Sequence, residues 1–489
     1  MKDFGIAVHS DLDIRADPTR VLSRLFIPGQ ELVGGSESRT STTVERVLAL
    51  SEADVEATLE ELVERFSARH ENLTDVFETH ADRVADYISS PMSANRRQLL
   101  GAVFTSEYSV EGAAVCNPSL VAHPDQTNLA ENSLRVVLSY RSIGEGHHSA
   151  ISFRTGEIRG GGAMTLDAPE RFPVVASISD GRLNRDLFHA SLHDLGVDGE
   201  TASSVLNNLA PFFSPEELDR AIARLTSQGE TRVNVLETAY LLRLIAASFY
   251  VATFESSTDL SRRVLWPSTP KEAQGMEDAR FVHFHDGDDS RYVASYTAFD
   301  GQTVSQQLLE TTDFETFASS PLAGRAAKNK GLAIFPRRVG GRFAALSRHD
   351  RESNSIAFSS DMHHWDEVST TQTPLHPWEI LQLGNCGSPI ELAEGWLVIT
   401  HGVGPMRTYG IGALLLDLED PTKVIGQLRQ PLLVPEDDQR DGYVPNVVYS
   451  CGSLVYEDVL YLPYGVADQS ISYASVAVPE LLAALDSEA

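Results

Sequence analysis

The stretch GWLVITHGV at residues 395–403 is an apolar run that ends in polar and glycine residues, and a second apolar run, YGIGALLLDL, follows it at 409–418. Two short apolar runs separated by a turn predict a pair of antiparallel β-strands. Four other segments have the same form, namely SLRVVLSYRS at 133–142, RYVASYTAFDG at 291–301, RFAALSRHD at 342–350 and VLYLPYGVAD at 459–468. The chain is therefore predicted to be mainly β.

These strand segments recur at a loosely regular interval. Equivalent positions in four of them are 51, 53 and 63 residues apart, counted at Thr297, Arg348, His401 and Tyr464. A period of about 50 residues with several strands per unit is typical of propeller blades. The gap between Arg141 in the first segment and Thr297 in the second is much longer, because a helical segment lies between them. We therefore predict a five-bladed β-propeller with a helical insertion after its first blade.

Helical signals occur in two parts of the chain. Ser51 and Asp54 have the spacing of a capping box, ahead of apolar residues at helical intervals. Ser214, with Pro215 directly after it and Glu217 three residues on, predicts the start of another helix. The predicted parts are an N-terminal, largely helical region (1–105), a first blade (106–183), the helical insertion (184–254) and the remaining blades (255–489). The two helical regions are also candidate surfaces for a homo-oligomer.

The composition limits the class of protein. At 489 residues, with 42% hydrophobic and 22% charged residues, the chain can bury a large core. Its net charge of −30 argues against a nucleic-acid partner, because a phosphate backbone would be repelled. Cys116, Cys386 and Cys451 are far apart and odd in number, which favours reduced thiols and provides no zinc-ligand spacing. We find no signal peptide or convincing membrane span, so we predict a soluble, cytoplasmic protein without a membrane partner.

Polar residues at the ends of the predicted strands are candidates for a site. In a propeller the inner strands converge on a central channel, so these residues meet from blades that are distant in sequence. They include Arg141, Arg348, His401 and Asp468. Solvated strand ends are polar as well, and for any single residue the two interpretations are evenly balanced. Their recurrence at equivalent places favours a sugar-binding site.

The most distinctive local motif is Glu277-Asp278-Ala279-Arg280. Two adjacent carboxylates followed by an arginine, just before a strand, can hold one acid oriented and partly charge-paired. A surface turn is the alternative interpretation of this motif when it is taken alone.

A basic stretch between residues 325 and 351 contains eight Lys or Arg residues. In such an acidic chain this stretch can hold an anion such as phosphate, with Lys as a point charge and Arg as a fork. A solvated hairpin would explain the arginines around the Gly340-Gly341 turn. It explains Lys328 and Arg348 less well, because they flank strands.

Several motifs, in order along the chain, resemble glycoside hydrolase family 130, which groups β-mannoside phosphorylases with some β-mannosidases. The resemblance covers about 111–183 and 264–478. The motifs are CNPS at 116–119, SYR at 139–141, GMEDAR at 275–280, KNKGLAIFPRR at 328–338, NSIAFSSDMHHW at 354–365, GWLVITHGV at 395–403, LLDLEDPTKVI at 415–425, DGYVPNVVYSCG at 441–452 and YGVAD at 464–468.

The resemblance implies a five-bladed propeller in which Asp278 is the sole catalytic acid. It would protonate the glycosidic oxygen through the 3-hydroxyl of the terminal mannose. Arg280 would belong to the substrate site by orienting Asp278 or the nearby backbone. The sugar would be held by Asn117, Arg141, Asn329 and Asp468, and phosphate by Lys328, Arg348 and His401. The resemblance implies no metal or other cofactor. It implies two substrates, an oligosaccharide and inorganic phosphate.

The leading interpretation is inverting phosphorolysis of a β-mannoside to α-mannose 1-phosphate. One alternative is a β-mannosidase, which uses water and needs a second acid. Glu277, Asp300 and Asp350 are the acids close enough in the motifs to be considered. A carbohydrate-binding propeller without turnover is the third interpretation.

Two departures from the family pattern concern the phosphate and acceptor sites. Many phosphorylases of the family have a His-Arg pair where this chain has Ser347-Arg348, with a histidine displaced to His349. The segment LGNCGSPI at 383–390 also differs from the Gly- and Pro-rich run that usually precedes the Gly-Trp motif.

Overall fold

The computed structural model describes residues 3–28, 39–88, 90–197, 199–227 and 235–486. These residues form two compact units. The smaller unit consists of Asp17–Gly112 and Glu170–Val174, and the larger unit contains the other described residues. Parts of the predicted N-terminal region lie outside the described residues, at 1–2, 29–38 and 89, as do parts of the predicted insertion, at 198 and 228–234.

The smaller unit is mainly helical. It follows two short strands of the larger unit, β1 (Val8–His9) and β2 (Ile14–Arg15). Its elements are β3 (Val21–Leu25), α1 (Arg39–Ala49), α2 (Glu52–Phe66), α3 (Leu73–Arg83), α4 (Ala94–Val103) and β4 (Thr105–Ser109), with β3 and β4 antiparallel. The hydroxyl of Ser51 accepts a hydrogen bond from the Asp54 N–H at 3.1 Å, so the predicted start of α2 is confirmed.

The larger unit begins its first strand group after this helical unit. The group is antiparallel and consists of β5 (Ala114–Ala122), β6 (Ser133–Ile143), β7 (Ser149–Arg159) and β8 (Ala163–Leu166). Helices and short strands follow, namely β9 (Val174–Val175), β10 (Ser177–Asp180), β11 (Leu183–Asn184), α5 (Arg185–Asp194), α6 (Glu200–Leu206), β12 (Phe212–Phe213), α7 (Pro215–Ser227), α8 (Val235–Ala246) and β13 (Tyr250–Thr253). Ser214 and Glu217 exchange hydrogen bonds before α7, so this predicted helix start is also confirmed.

Four more antiparallel groups follow along the chain. The second consists of β15 (Gly275–Asp286), β16 (Asp289–Phe299), β17 (Val304–Thr311) and β18 (Thr316–Pro321), after β14 (Arg263–Leu265). The third consists of β19 (Ala333–Ile334), β20 (Phe343–Ser347), β21 (Asn354–Ser359) and β22 (Glu367–Gln372). The fourth consists of β23 (Gln382–Asn385), β24 (Ile390–Glu391), β25 (Trp396–Val403), β26 (Tyr409–Leu416) and β27 (Val424–Gln427).

The fifth group includes strands from distant parts of the sequence. It consists of β28 (Val448–Tyr449), β29 (Leu454–Tyr456), β30 (Val459–Val466) and β31 (Ser470–Ala477), and α9 (Val478–Asp486) follows it. Both β1 and β2 pair antiparallel with β31, at Val8↔Ser475 and Ile14↔Ile471. The prediction of a mainly β chain is confirmed, but the sequence did not reveal that early residues complete the last group.

The strand groups bury their apolar residues against one another. The fifth group packs on the fourth through residues such as Leu462 and Ile399, which share one core. It also packs on the first group, because Tyr461 and Val136 belong to a common core. Among the described residues, no helix is both long and apolar enough to cross a bilayer.

Close packing of α3 on α4 yields a prediction for the smaller unit. A methyl group at Gly101 would overlap the carbonyl oxygen of Phe77. Alanine is favoured over glycine inside a helix by about 1 kcal/mol, so helix propensity alone would make Gly101→Ala stabilising. A loss of stability would therefore come from the overlap with Phe77. We expect a net loss of about 1–3 kcal/mol, measured by denaturant unfolding. Gly199→Ala is the control, since its Cβ position has no atom within 4 Å from the described residues beyond its chain neighbours. Equal effects of the two substitutions would contradict the explanation.

Candidate active site

Two β-bulges position the central side chains. The ladder between β15 and β16 shifts register within Glu277–Arg280, and that between β5 and β6 shifts within Cys116–Ser119. Asp278 (φ 57°) and Asn117 (φ 51°) lie in these bulges with a left-handed backbone, which Asp and Asn adopt more readily than most residues. Asn117 Nδ2 donates a hydrogen bond to Asp278 Oδ1, and both side chains are buried.

Arg280 holds the backbone of the bulge that carries Asp278. Its side chain is 1% exposed. Its Nη1 donates to the carbonyl oxygen of Asp278 at 2.8 Å, and its Nη2 donates to the hydroxyl of Tyr449, also at 2.8 Å. Burial raises the pKa of Tyr449, so this phenol is neutral and serves as an acceptor for the guanidinium. Arg280 therefore contacts Asp278 through the main chain.

The carboxylate next to the bulge, Glu277, is fully engaged in ion pairs. Arg141 Nη2 lies 2.7 Å from its Oε1, and Lys330 Nζ contacts its Oε2. The side chain of Glu277 is only 7% exposed, so both of its oxygens are used inside the protein. Glu277 thus fixes two cations beside Asp278.

These cations decide the charge state of Asp278. Burial by itself would raise the pKa of the carboxyl group, because an ionised form loses its hydration. Attraction to nearby positive charges and one hydrogen bond outweigh burial and leave the pKa below the ordinary range; the groups are Lys330, Arg280, Arg141 and Asn117. Asp278 is therefore ionised at neutral pH in the free protein.

A second carboxyl group, Asp468, lies after β30 in a left-handed backbone (φ 49°). Burial, followed by the negative charge of Asp278, raises the pKa of Asp468 to about 6. Arg141 opposes this shift. Two interacting carboxyl groups with pKa values moved in opposite directions are typical of sites that handle protons.

Arg348 and His401 form a pair next to this cluster. Arg348 Nη1 lies 3.0 Å from His401 Nε2, and His401 is 1% exposed. Burial, then the charges of Arg348 and Arg280, lower the pKa of His401 well below its ordinary value. An arginine can only donate, so the neutral histidine accepts through Nε2 and orients the guanidinium. A side chain at Gly384 would displace this pair, because its Cβ would lie 2.6 Å from His401 Cε1.

The segment Lys328–Gly331 contributes groups of different kinds. Asn329 has a left-handed backbone (φ 71°), and its side chain contacts the His349 carbonyl oxygen. Lys330 contacts Glu277. Lys328 is exposed and, within the described ranges, its ammonium group has no ion-pair or hydrogen-bond partner.

The structure brings together most of the predicted site residues. Asn117 donates to the Asp278 carboxylate, and Arg141 pairs with the neighbouring Glu277. Arg280 holds the carbonyl oxygen of Asp278. The sequence interpretation did not single out Lys330 or Tyr449. Lys330 was one of eight cations in the basic stretch, and Tyr449 stood inside a matching motif; neither had a local signal that named its partner. Across the described residues, no group of three or more His, Cys, Asp or Glu side chains is arranged to hold a metal ion.

The sequence pattern suggested that the acidic motif lies just before a strand, but Asp278 lies in a bulge inside β15. A buried carboxyl group surrounded by guanidinium, ammonium and amide groups is suited to a carbohydrate-active enzyme. The family model for glycoside hydrolase family 130, described as beta-1,4-mannooligosaccharide phosphorylase, matches residues 254–487. A 1,2-beta-oligomannan phosphorylase from Thermoanaerobacter sp. (strain X514) is 33% identical over 233 residues, which cover 45% of this chain and 75% of the relative. The chain belongs to glycoside hydrolase family 130.

Two further comparisons involve proteins described as mannobiose phosphorylases. A beta-1,2-mannobiose phosphorylase from Thermoanaerobacter sp. (strain X514) is 34% identical over 217 residues, covering 44% of this chain and 70% of the relative. The solved structure of the beta-1,2-mannobiose phosphorylase from Listeria innocua in complex with beta-1,2-mannobiose has a TM-score of 0.46 and 22% identity. It covers 78% of this chain and 94% of that one.

The raised pKa of Asp468 predicts a pH-dependent stability. The folded protein retains a proton up to about pH 6, whereas the unfolded carboxyl has its ordinary pKa of 3.8. Stability from this proton is fully present below the unfolded value and is lost as pH rises through the folded value. Asp278, with a lowered pKa, titrates below this window.

Asp468→Asn, which stays neutral at every pH, should therefore match the wild type near pH 4. Near pH 7.5 it should be more stable by about 1–2 kcal/mol, a value reduced for partial exposure. Differential scanning calorimetry at the two pH values measures this difference. The same stability difference at both pH values would show that Asp468 is not the group that titrates.

Proposed function

We propose that this chain is an inverting β-mannoside phosphorylase, in which phosphate attacks the anomeric carbon of a terminal β-mannosyl residue and releases α-mannose 1-phosphate. Family membership and the phosphorylase names of the relatives support this reaction class. The observation that carries the proposal is the surroundings of Asp278, where the charges of Lys330, Arg280 and Arg141 act on the carboxyl group and the neighbouring Glu277 is held in ion pairs.

The acids considered for water activation are engaged elsewhere. Glu277 has both oxygens in ion pairs. Asp300 and Asp350 each accept hydrogen bonds from two backbone N–H groups of their own loops, at 2.6–3.0 Å. An inverting hydrolase requires a second carboxylate that can activate water, whereas phosphate is already an anionic nucleophile. This difference favours phosphorolysis.

Phosphate would be held by Lys328, Arg348 and His401. Lys328 provides an ammonium group with no partner among the described residues. Arg348 presents a guanidinium that His401 orients through Nε2, and its Nε is buried with no hydrogen-bond partner in the part of the chain that the structure describes. A fork-shaped donor and a point charge together suit a tetrahedral anion. In this assignment His401 acts on phosphate mainly by fixing Arg348.

Asp278 supplies the proton for the leaving group. In the free protein its pKa is lowered, but a bound phosphate anion would raise it by like-charge repulsion and make the acid form accessible. The proton passes from Asp278 to the 3-hydroxyl of mannose, and the 3-hydroxyl passes its own proton to the glycosidic oxygen. The bond from C1 to that oxygen breaks as the bond from C1 to phosphate forms on the opposite face. Atoms and charge balance without a metal or redox partner.

The sugar in the first subsite would be held by groups around Asp278. We assign Asn117, Arg141, Asn329 and Asp468 to this role, with Arg280 shaping the bulge. Three of these groups already have partners inside the site: Asn117 bonds Asp278, Arg141 pairs with Glu277, and Asn329 bonds the loop of His349. The arrangement is therefore ordered before sugar binds, which reduces the entropy lost on binding.

The five-bladed propeller is the architecture we propose for the larger unit. Support comes from its five successive runs of antiparallel strands, of which the first two are joined in one sheet by the parallel pairing of β7 with β15, and from the core shared by the first and fifth groups. Further support comes from β1 and β2, because early strands that pair with the last group join the two ends of the fold. A channel at the centre of such a propeller would bring Asn117, Asp278, Arg348, His401 and Asp468 to one place from five groups.

Hydrolysis is the second candidate, and one observation favours it. Asp468 has a raised pKa near 6 and senses the charge of Asp278, so it could accept a proton from water. In that reaction the products would be mannose and the shortened oligosaccharide, with no dependence on phosphate.

The deciding experiment incubates the purified protein with β-linked mannobioses, with and without phosphate, and assays mannose 1-phosphate and mannose. We expect mannose 1-phosphate only with phosphate present. Asp278→Asn should lower this rate by about 10²–10⁴-fold, because it removes the proton donor. Asp300→Asn is the matched control, since Asp300 caps a loop, and its rate should stay near that of the wild type.

Each alternative outcome has a defined meaning. Free mannose formed at the same rate without phosphate would replace phosphorolysis by hydrolysis. In that case Asp468→Asn should abolish turnover, whereas a phosphorylase needs Asp468 only for sugar binding. Absence of product from any linkage would favour a carbohydrate-binding protein without turnover.

A further inference from the structure

Asn385, at the end of β23, has an unsatisfied side chain. It is 1% exposed, and neither its Oδ1 nor its Nδ2 has a hydrogen-bond partner among the described residues. A buried polar group left without a partner costs about 1–3 kcal/mol. An apolar side chain of the same size would avoid this cost. The amide therefore requires a partner that the described residues do not provide.

The position of Asn385 indicates where that partner binds. The Cβ position of Gly331 lies 3.7 Å from Asn385 Oδ1 and 3.9 Å from Arg348 Cβ. The amide therefore lies beside Arg348 and against the segment Lys328–Gly331. The residue before Asn385 is Gly384, whose missing side chain leaves room for the Arg348–His401 pair. Asn385 thus adjoins Arg348 and His401, two of the three proposed phosphate-binding residues.

The three proposed phosphate ligands do not provide an acceptor for the P–O–H hydrogen of phosphate. At neutral pH, hydrogenphosphate has one P–O–H hydrogen to donate as well as oxygens that accept. Lys328 and Arg348 can only donate. The Nε2 of His401 already accepts from Arg348. A neutral amide offers both a donor and an acceptor in one rigid plane.

We propose that Asn385 is a further phosphate-binding residue, whose Nδ2 donates to a phosphate oxygen while its Oδ1 accepts the P–O–H hydrogen. This inference rests on the proposed phosphorolysis. It gives a role to the segment LGNCGSPI at 383–390, in which the chain departs from the family pattern. It also predicts a preference for phosphate over sulfate, an anion of similar shape that has no hydrogen to donate at neutral pH.

The test uses Asn385→Leu, which keeps the number and branching of the side-chain heavy atoms and removes both hydrogen-bonding groups. We expect the KM for phosphate to rise by about tenfold or more, since a hydrogen bond to a charged group is lost. The KM for the mannoside should change less than twofold. Isothermal titration of the sugar-free protein with phosphate should show the same weakening. Titration with sulfate should differ little between wild type and variant.

Gln307→Leu is the matched control. Gln307 in β17 is also a buried amide whose oxygen has no partner within the described ranges, and its Nε2 bonds Ser305 at 3.2 Å. Its substitution should leave the KM for phosphate unchanged. The thermal stability of the ligand-free protein separates a structural role from binding. Asn385→Leu should melt at or above the wild-type temperature, because it removes two unsatisfied polar atoms.

The outcomes separate this inference from the proposed function. If the wild type forms mannose 1-phosphate and Asn385→Leu leaves its phosphate KM unchanged, the role of Asn385 is overturned while phosphorolysis stands. If no mannoside reacts but phosphate binds and the variant weakens it, Asn385 is a phosphate ligand and the reaction is another one. A wild type that does not bind phosphate in calorimetry overturns the inference, as does a large loss of stability in the variant.

Discussion

The buried bulge at Asp278 is the constraint on which the site depends. A left-handed backbone costs a residue other than glycine about 1–3 kcal/mol of conformational free energy. It persists here because contacts with the surrounding residues hold it in place. Arg280 holds the carbonyl oxygen, and Asn117, from a second left-handed bulge, holds the carboxylate. β15 keeps its pairing with β16 on both sides of the bulge, so the strain is confined to the residue that we propose as the catalytic acid.

This cluster concentrates positive charge within a chain whose net charge is strongly negative. In a protein with a net charge of −30, Arg141, Arg280 and Lys330 converge on Glu277 and Asp278. The cations keep Asp278 ionised, and its negative charge helps to keep Asp468 protonated up to about pH 6. A bound anion would change this balance and return a proton to Asp278. In the proposed reaction, Coulombic interactions would couple phosphate binding to proton supply in this way.

Much of the strand pattern could be predicted from the sequence, because apolar runs broken by turns leave a local signal. The segment GWLVITHGV corresponds to β25 and YGIGALLLDL to β26. The pairing of β1 and β2 with β31 could not be predicted, since strands of two residues have no periodicity to read. Lys330 rather than Lys328 contacts Glu277, and no rule of spacing distinguishes two lysines in the same loop.

The sequence by itself determined the residue types that the site can use. Asn117, Asp278, Asn329 and Asp468 are Asn or Asp, the residues other than glycine that most readily accept the positive φ found at each position. The tertiary structure alone decided which of these groups meet, how their pKa values shift and which amides stay unsatisfied. These properties depend on burial and on distances between strand groups far apart in the chain, and no local pattern records such distances.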